Sequence, residues 1–227
     1  MITLKSNFIG FLAIALILTG MNLPWVTAGY SVDGVITPPT SLQTEIRYKE
    51  SLTYDINLFG HGQVIYYTLY QDKELIVKYN VRSDINKWSW IVLAGAIIIL
   101  IGSLIGYGTL LFALSIPYVE LIQVGFYLVG AIFTLVGILL INLNYEDIHV
   151  YIDKGDKTEV KTLGDIKQDV KKYLNSLPNT FLGVENFCSF GFGTFITFLG
   201  FLIAFAFSLW VVLKRLFMGK KEEFYIE

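Results

Sequence analysis

The sequence predicts a membrane α-helical protein, a four-transmembrane-helix bundle that carries a small extracellular antiparallel β-sheet domain. Three observations predict it. The apolar residues fall in long blocks: 54% of the 227 residues are hydrophobic and only 16% are charged, against ~25% charged in an ordinary soluble domain. Between two of the blocks, residues 46–58 alternate apolar and polar, the period of a strand. Basic residues then cluster beyond the last block, at Lys214, Arg215, Lys220 and Lys221.

Residues 1–28 hold the first apolar run, Phe8 to Trp25. Two readings stay open. It is a retained span, with Pro24 and Trp25 at an interfacial exit, or a signal peptide cut at Val26-Thr27-Ala28. Both carry residue 29 across the membrane.

Residues 29–87 read as an extracellular β-rich loop. Residues 29–42 read as irregular, with Pro38-Pro39 as a breaker. In the alternating run, Ile46, Tyr48, Leu52, Tyr54, Ile56 and Leu58 share one face, and Arg47, Lys49, Thr53 and Asp55 share the other. Gly60-His61-Gly62 and Asp72-Lys73 are turns, and residues 63–71 and 74–81 are two further strands of a meander.

Residues 88–142 contain no Lys or Arg and one carboxylate, Glu120. A straight helix of that length would be about 80 Å long at ~1.5 Å per residue, against a hydrocarbon core of ~30 Å. The stretch therefore folds back, at Ser115 to Tyr118, where Pro117 breaks the helix. The result is a hairpin of spans two and three. Gly102 and Gly106 lie one turn apart, and Gly130 and Gly137 lie two turns apart, spacings that let helices approach closely in lipid. Glu120, three residues from the break, reads first as an interfacial carboxylate and otherwise as a membrane site for a proton or ion.

Residues 143–186 form a second extracellular loop. It holds a strand at 147–153, a turn at 154–157, and an amphipathic helix capped by Asp165 and ended by Pro178. The fourth span covers 187–213, with Gly193 and Gly200 on a small-residue stripe and Cys188 as a packing residue. Residues 214–227 are a tail. Basic residues flanking spans stay inside, so the chain is expected to be a multi-pass protein of the cell membrane with both termini cytoplasmic.

In layout the chain resembles the claudin and peripheral-myelin tetraspan superfamily. The likeness rests on four spans, a large first loop, Leu23-Pro24-Trp25 after the first span, the glycine-spaced third span, and Phe190-Gly191-Phe192-Gly193 entering the fourth. It implies one sheet built from both loops, and a role in adhesion, barriers or membrane organisation. The superfamily's Gly-Leu-Trp-Cys-Cys pattern is absent, and a single cysteine forms no intramolecular disulfide.

The chemistry is sparse. Net charge is −2, which speaks against a nucleic-acid partner. A metal site wants three or four convergent ligands, and His61 and His149 are only two, in different loops, so they read as solvated histidines. No catalytic constellation or phosphate loop is legible, and no cofactor or small-molecule substrate is implied. The expected function is non-enzymatic: a cell-surface interaction protein or structural subunit of a membrane complex. Its expected partners are membrane lipid and other proteins or copies of itself. The candidate contact residues are Arg47, Lys49, Tyr66, Tyr67 and Tyr70, on the first-loop strands. The alternative is a subunit of a transporter or channel.

Overall fold

The structure, a computed structural model, describes residues 2–36, 46–70, 73–112, 118–177 and 181–222. The expected breakers Pro38-Pro39, Pro117 and Pro178 lie outside the described residues, as do the side chains of Ile46, Cys188, Lys220 and Lys221. The chain divides into two units: residues 1–20, 88–140 and 195–227, and residues 21–87 and 141–194.

The first unit is helical. Its elements are α1 (Ile2–Asn22), α2 (Asn86–Leu111), α3 (Val119–Leu143) and α5 (Phe192–Glu222). Three helices are long and apolar enough to cross a membrane: Asn86–Leu111, Val119–Leu143 and the Phe192–Phe217 part of α5, at 25 or 26 residues each. At ~1.5 Å per residue these reach about 38 Å, more than the ~30 Å hydrocarbon core. The apolar part of α1, Asn7–Asn22, is shorter. Leu104, Leu110, Ile132, Leu139, Leu202 and Leu209 point outward, while the helices meet through small residues. A Cβ on Gly102 would come within 2.7 Å of the Phe126 Cβ of α3. One on Gly130 would come within 2.6 Å of the Gly95 carbonyl of α2, and one on Gly200 within 2.8 Å of the Ala13 carbonyl of α1. Gly137 faces Val92, and Gly193 is buried in the first turn of α5.

The second unit is a seven-stranded antiparallel sheet with one helix. The strands are β1 (Pro24–Ile36), β2 (Ile46–Asn57), β3 (His61–Tyr70), β4 (Lys73–Ser83), β5 (His149–Asp153), β6 (Thr158–Thr162) and β7 (Phe181–Phe190). Their order is β6-β5-β4-β3-β2-β1-β7. Strands from both loops therefore share one sheet. Cross-strand partners lie on one face, and the register puts Val26, Ala28, Tyr30 and Val32 beside Ile56, Tyr54, Leu52 and Glu50. Val64, Val81, Ile152 and Val150 continue that face, and most of its apolar side chains are buried. The helix α4 (Leu163–Ser176) contacts β1, β6 and β7 and buries Leu163, Ile166 and Val170.

Several elements differ from the sequence reading. Residues 24–36 form a strand, so 24–28 leave the first span and 29–36 are not irregular; Val26, Ala28, Tyr30 and Val32 alternate with Thr27, Gly29, Ser31 and Asp33. Residues 187–190 belong to β7, not to the fourth helix, which begins at Phe192; phenylalanines on both faces of β7 hide its period. The strand β6 was not foreseen. The cap of α4 is Thr162 rather than Asp165: the Thr162 hydroxyl accepts from the Asp165 N–H at 3.0 Å, and the Asp165 carboxylate accepts from the Thr162 N–H at 3.1 Å. This reciprocal pair satisfies two N–H groups the first turn would leave open.

Candidate interaction surface

The two faces of the sheet have different chemistry. On the face carrying α4, the alternation of β2 contains one charged intruder. Glu50 is in phase with Tyr48, Leu52 and Tyr54, so the strand turns it inward, and it is only 4% exposed. Phenols arriving from three elements satisfy it. Tyr30 of β1 donates to Oε1 at 2.6 Å, and Tyr173 of α4 donates to Oε2 at 2.7 Å. Tyr48 of β2 also donates to Oε2. The Tyr30 and Tyr173 rings lie against each other, with centroids 4.7 Å apart.

Burial opposes the Glu50 charge, but the donors Tyr30, Tyr48, Tyr173 and Tyr66 outweigh it and hold the carboxyl below its usual value. Burial first, and the carboxylate second, push the Tyr173 phenol up to about 12. The same two causes raise Tyr30 and Tyr48 further. Hydrogen bonds to a buried charge contribute ~1.5–3 kcal/mol each. The cluster therefore ties α4 to β1 and β2 across 123 positions of sequence.

Beside α4 the same face holds a half-open groove of about 400 Å³. Leu52, Tyr54, Val64, Tyr66, Val77 and Tyr79 contribute to its lining. At one end Lys154 and Lys161 are both paired with Glu159, and Lys161 is paired also with Asp169 at 2.8 Å.

Within this unit, α4 does not pack on the opposite face. Arg47, Lys49, Lys78 and Arg82 are exposed there, interspersed with the exposed acids Asp33, Glu74 and Glu185. They alternate along or across the strands with Tyr67, Ile65 and Ile76, the last 53% exposed. The structure therefore divides the expected contact set. Arg47, Lys49 and Tyr67 share the open face. Tyr66 and Tyr70 lie on the other, with Tyr66 in the groove. The sequence reading missed Glu50. Its signal was present: an acidic residue in phase with an apolar series.

The remaining candidates are more scattered. Glu120, in the first turn of α3, lies 3.5 Å from Arg215 of α5. Gly106 lies against Gln123 and Asn7, within a buried polar group in which Gln123 donates to Asn7 Oδ1 and to Tyr127 Oη, and Tyr127 bonds Ser103 at 3.0 Å. His149 lies 3.4 Å from Asp84. No group of three or more His, Cys, Asp or Glu among the described residues is placed to hold a metal ion. No protein-family model matches the chain, and no curated protein matches it.

Proposed function

We propose that this chain is a non-enzymatic integral membrane protein with four spans, its termini cytoplasmic and its sheet outside, and that the open sheet face contacts protein partners at the cell surface or within a membrane complex. The observation that carries this reading is the asymmetry of the sheet. One face is buried and tied to α4, while the other presents Arg47, Lys49, Lys78 and Arg82 around Tyr67 and Ile76. Tyr and Arg are among the residues enriched at protein interfaces.

The span count includes α1 as a retained helix. Cleavage after Ala28 would remove Trp25 and Val26, both fully buried, together with rows of β1 paired on two sides. The cytoplasmic assignment of the C-terminus rests on Lys214 and Arg215 in the C-terminal part of α5. An N-terminal tag retained on the mature chain supports the four-span count, and its loss contradicts it.

The test of contact is the double substitution Arg47→Glu with Lys49→Glu, in protein purified natively in mild detergent. The expected result is an unchanged melting curve and loss of co-purifying protein. Full retention of every partner would place the contact elsewhere.

The channel-subunit reading draws on one observation: polar atoms buried among the helices, with Asn7 Nδ2 and Thr197 Oγ1 lacking hydrogen-bond partners among the described residues. The close packing at Gly10, Gly102 and Gly106 speaks against a lumen there. Ion conduction by reconstituted liposomes would favour the channel.

A further inference from the structure

Where α3 ends, a short 3-10 turn, Tyr145–Asp147, leads toward β5. Beside that turn is an open crevice of about 510 Å³, whose lining includes Leu143, Tyr145, Glu146, Asp147, Lys167 and Phe190. Its size lies within the ~300–1,000 Å³ range of small-ligand sites. Tyr145 and Phe190 form an edge-to-face pair with centroids 5.6 Å apart. Lys167 donates to Glu146 Oε1 at 2.9 Å, while the Asp147 carboxylate makes no ion pair among the described residues. Two carboxylates against one ammonium leave the crevice with an excess negative charge. Leu143, the last residue of α3, is 79% exposed at its edge.

We propose that this crevice binds the headgroup of a zwitterionic phospholipid. The ammonium group sits against the Tyr145 and Phe190 rings and the Asp147 carboxylate, the phosphate sits toward Lys167, and the acyl chains pass over Leu143. Aromatic faces attract quaternary and primary ammonium groups through their negative π surface. A neighbouring uncompensated carboxylate adds charge attraction, and a lysine serves a phosphate as a point charge. An anionic headgroup without an ammonium would meet two carboxylates and gain only one partner. The assignment to a lipid rests on α3 crossing the membrane, because its final turn then lies at headgroup depth.

The experiment uses the full chain in a maltoside detergent. It is titrated separately with dihexanoyl phosphatidylcholine, dihexanoyl phosphatidylglycerol and free phosphocholine, with bound ligand read by native mass spectrometry. Phosphatidylcholine should bind saturably and about tenfold more tightly than phosphatidylglycerol, the scale of one cation–π and charge contact. It should also bind more tightly than free phosphocholine, which cannot use Leu143. Asp147→Asn and Tyr145→Leu should each weaken it several-fold at an unchanged melting temperature, and Tyr145→Phe should preserve it. Equal binding of the two lipids, or full binding by Asp147→Asn, overturns the site. Equal binding of lipid and phosphocholine overturns the lipid assignment. These readouts need no bilayer, so their failure is separable from a failure of the membrane topology, which accessibility labelling reads independently.

Discussion

The helical unit and the sheet unit both bury polar groups, neutral amides and hydroxyls in the first and a carboxylate, Glu50, in the second. In the helices most buried hydroxyls bond backwards within their own turn. Ser103 donates to the Ile99 carbonyl, Thr134 to Gly130 and Ser208 to Ala204, each four residues back. In the sheet, Glu50 draws its donors from β1, β2 and α4. In the helices Gln123 also reaches far, donating to Asn7 across 116 positions, and in the proposed lipid setting no water would complete these groups. A solvated domain can assemble a long-range polar cluster, because water serves its members until they meet. Their surfaces differ in the same sense. The helices expose Leu, Ile and Phe, and the open sheet face exposes charged residues of both signs. Both interiors are apolar; the surfaces differ, as the proposed lipid-facing anchor and water-facing domain require.

The largest expected effect breaks the sheet alone. Ile56 is 1% exposed between β1 and β3, so Ile56→Asp places an unpaired charge in its core. A loss above ~4 kcal/mol is expected, read as failure to recover folded protein. Normal yield with a wild-type melting curve would show that this face is not the core. Gly106→Ile is the matching lesion in the helices. Its side chain would enter the space of Gln123 and Asn7, and overpacking of this kind costs about 1–3 kcal/mol. A lower melting temperature in detergent is expected, and an unchanged one would mean that α2 does not pack there.

Glu50 gives a smaller effect with a sign that can be followed by pH. Its folded pKa lies below the usual 4.5, so its contribution is present at neutral pH and is lost as pH falls from about 4.5 through the lowered value. Glu50→Gln keeps the shape and removes the charge, and a loss of about 1–3 kcal/mol at pH 7 is expected. The gap between wild type and variant should narrow as pH falls below about 4.5. A constant gap across pH would mean that the carboxylate is not the source. Substitutions on the open face form the lower end of the scale. Lys78→Glu should stay within ~0.5 kcal/mol of the parent, since no ion pair or packed helix depends on it among the described residues.

The two units were not equally legible in the sequence. The helices declare themselves by length and apolarity, since α2 and α3 begin and end within a few residues of the expected spans. The central meander β2-β3-β4 follows from its period of two. The edge of the sheet was hidden by its neighbours in sequence. Trp25 to Ala28 continue an apolar helix, and Phe187 to Phe190 precede another, so composition assigned both ends to the membrane while pairing assigns them to β1 and β7. Pairing is a long-range property, and no local window contains it. Glu50 was legible in phase but not in consequence, because its partners Tyr30 and Tyr173 are brought to it only by the fold.

The central claim is that the sheet is the outward domain and the helices are its lipid-embedded anchor. Accessibility labelling tests it most directly. With the single native cysteine, Cys188, replaced by alanine, cysteines are introduced one at a time at Lys49, Asp156 and Glu222. A membrane-impermeant maleimide should modify the first two in intact cells and the third only after permeabilisation. Modification of Glu222→Cys in intact cells, with Lys49→Cys and Asp156→Cys protected until lysis, would contradict the account.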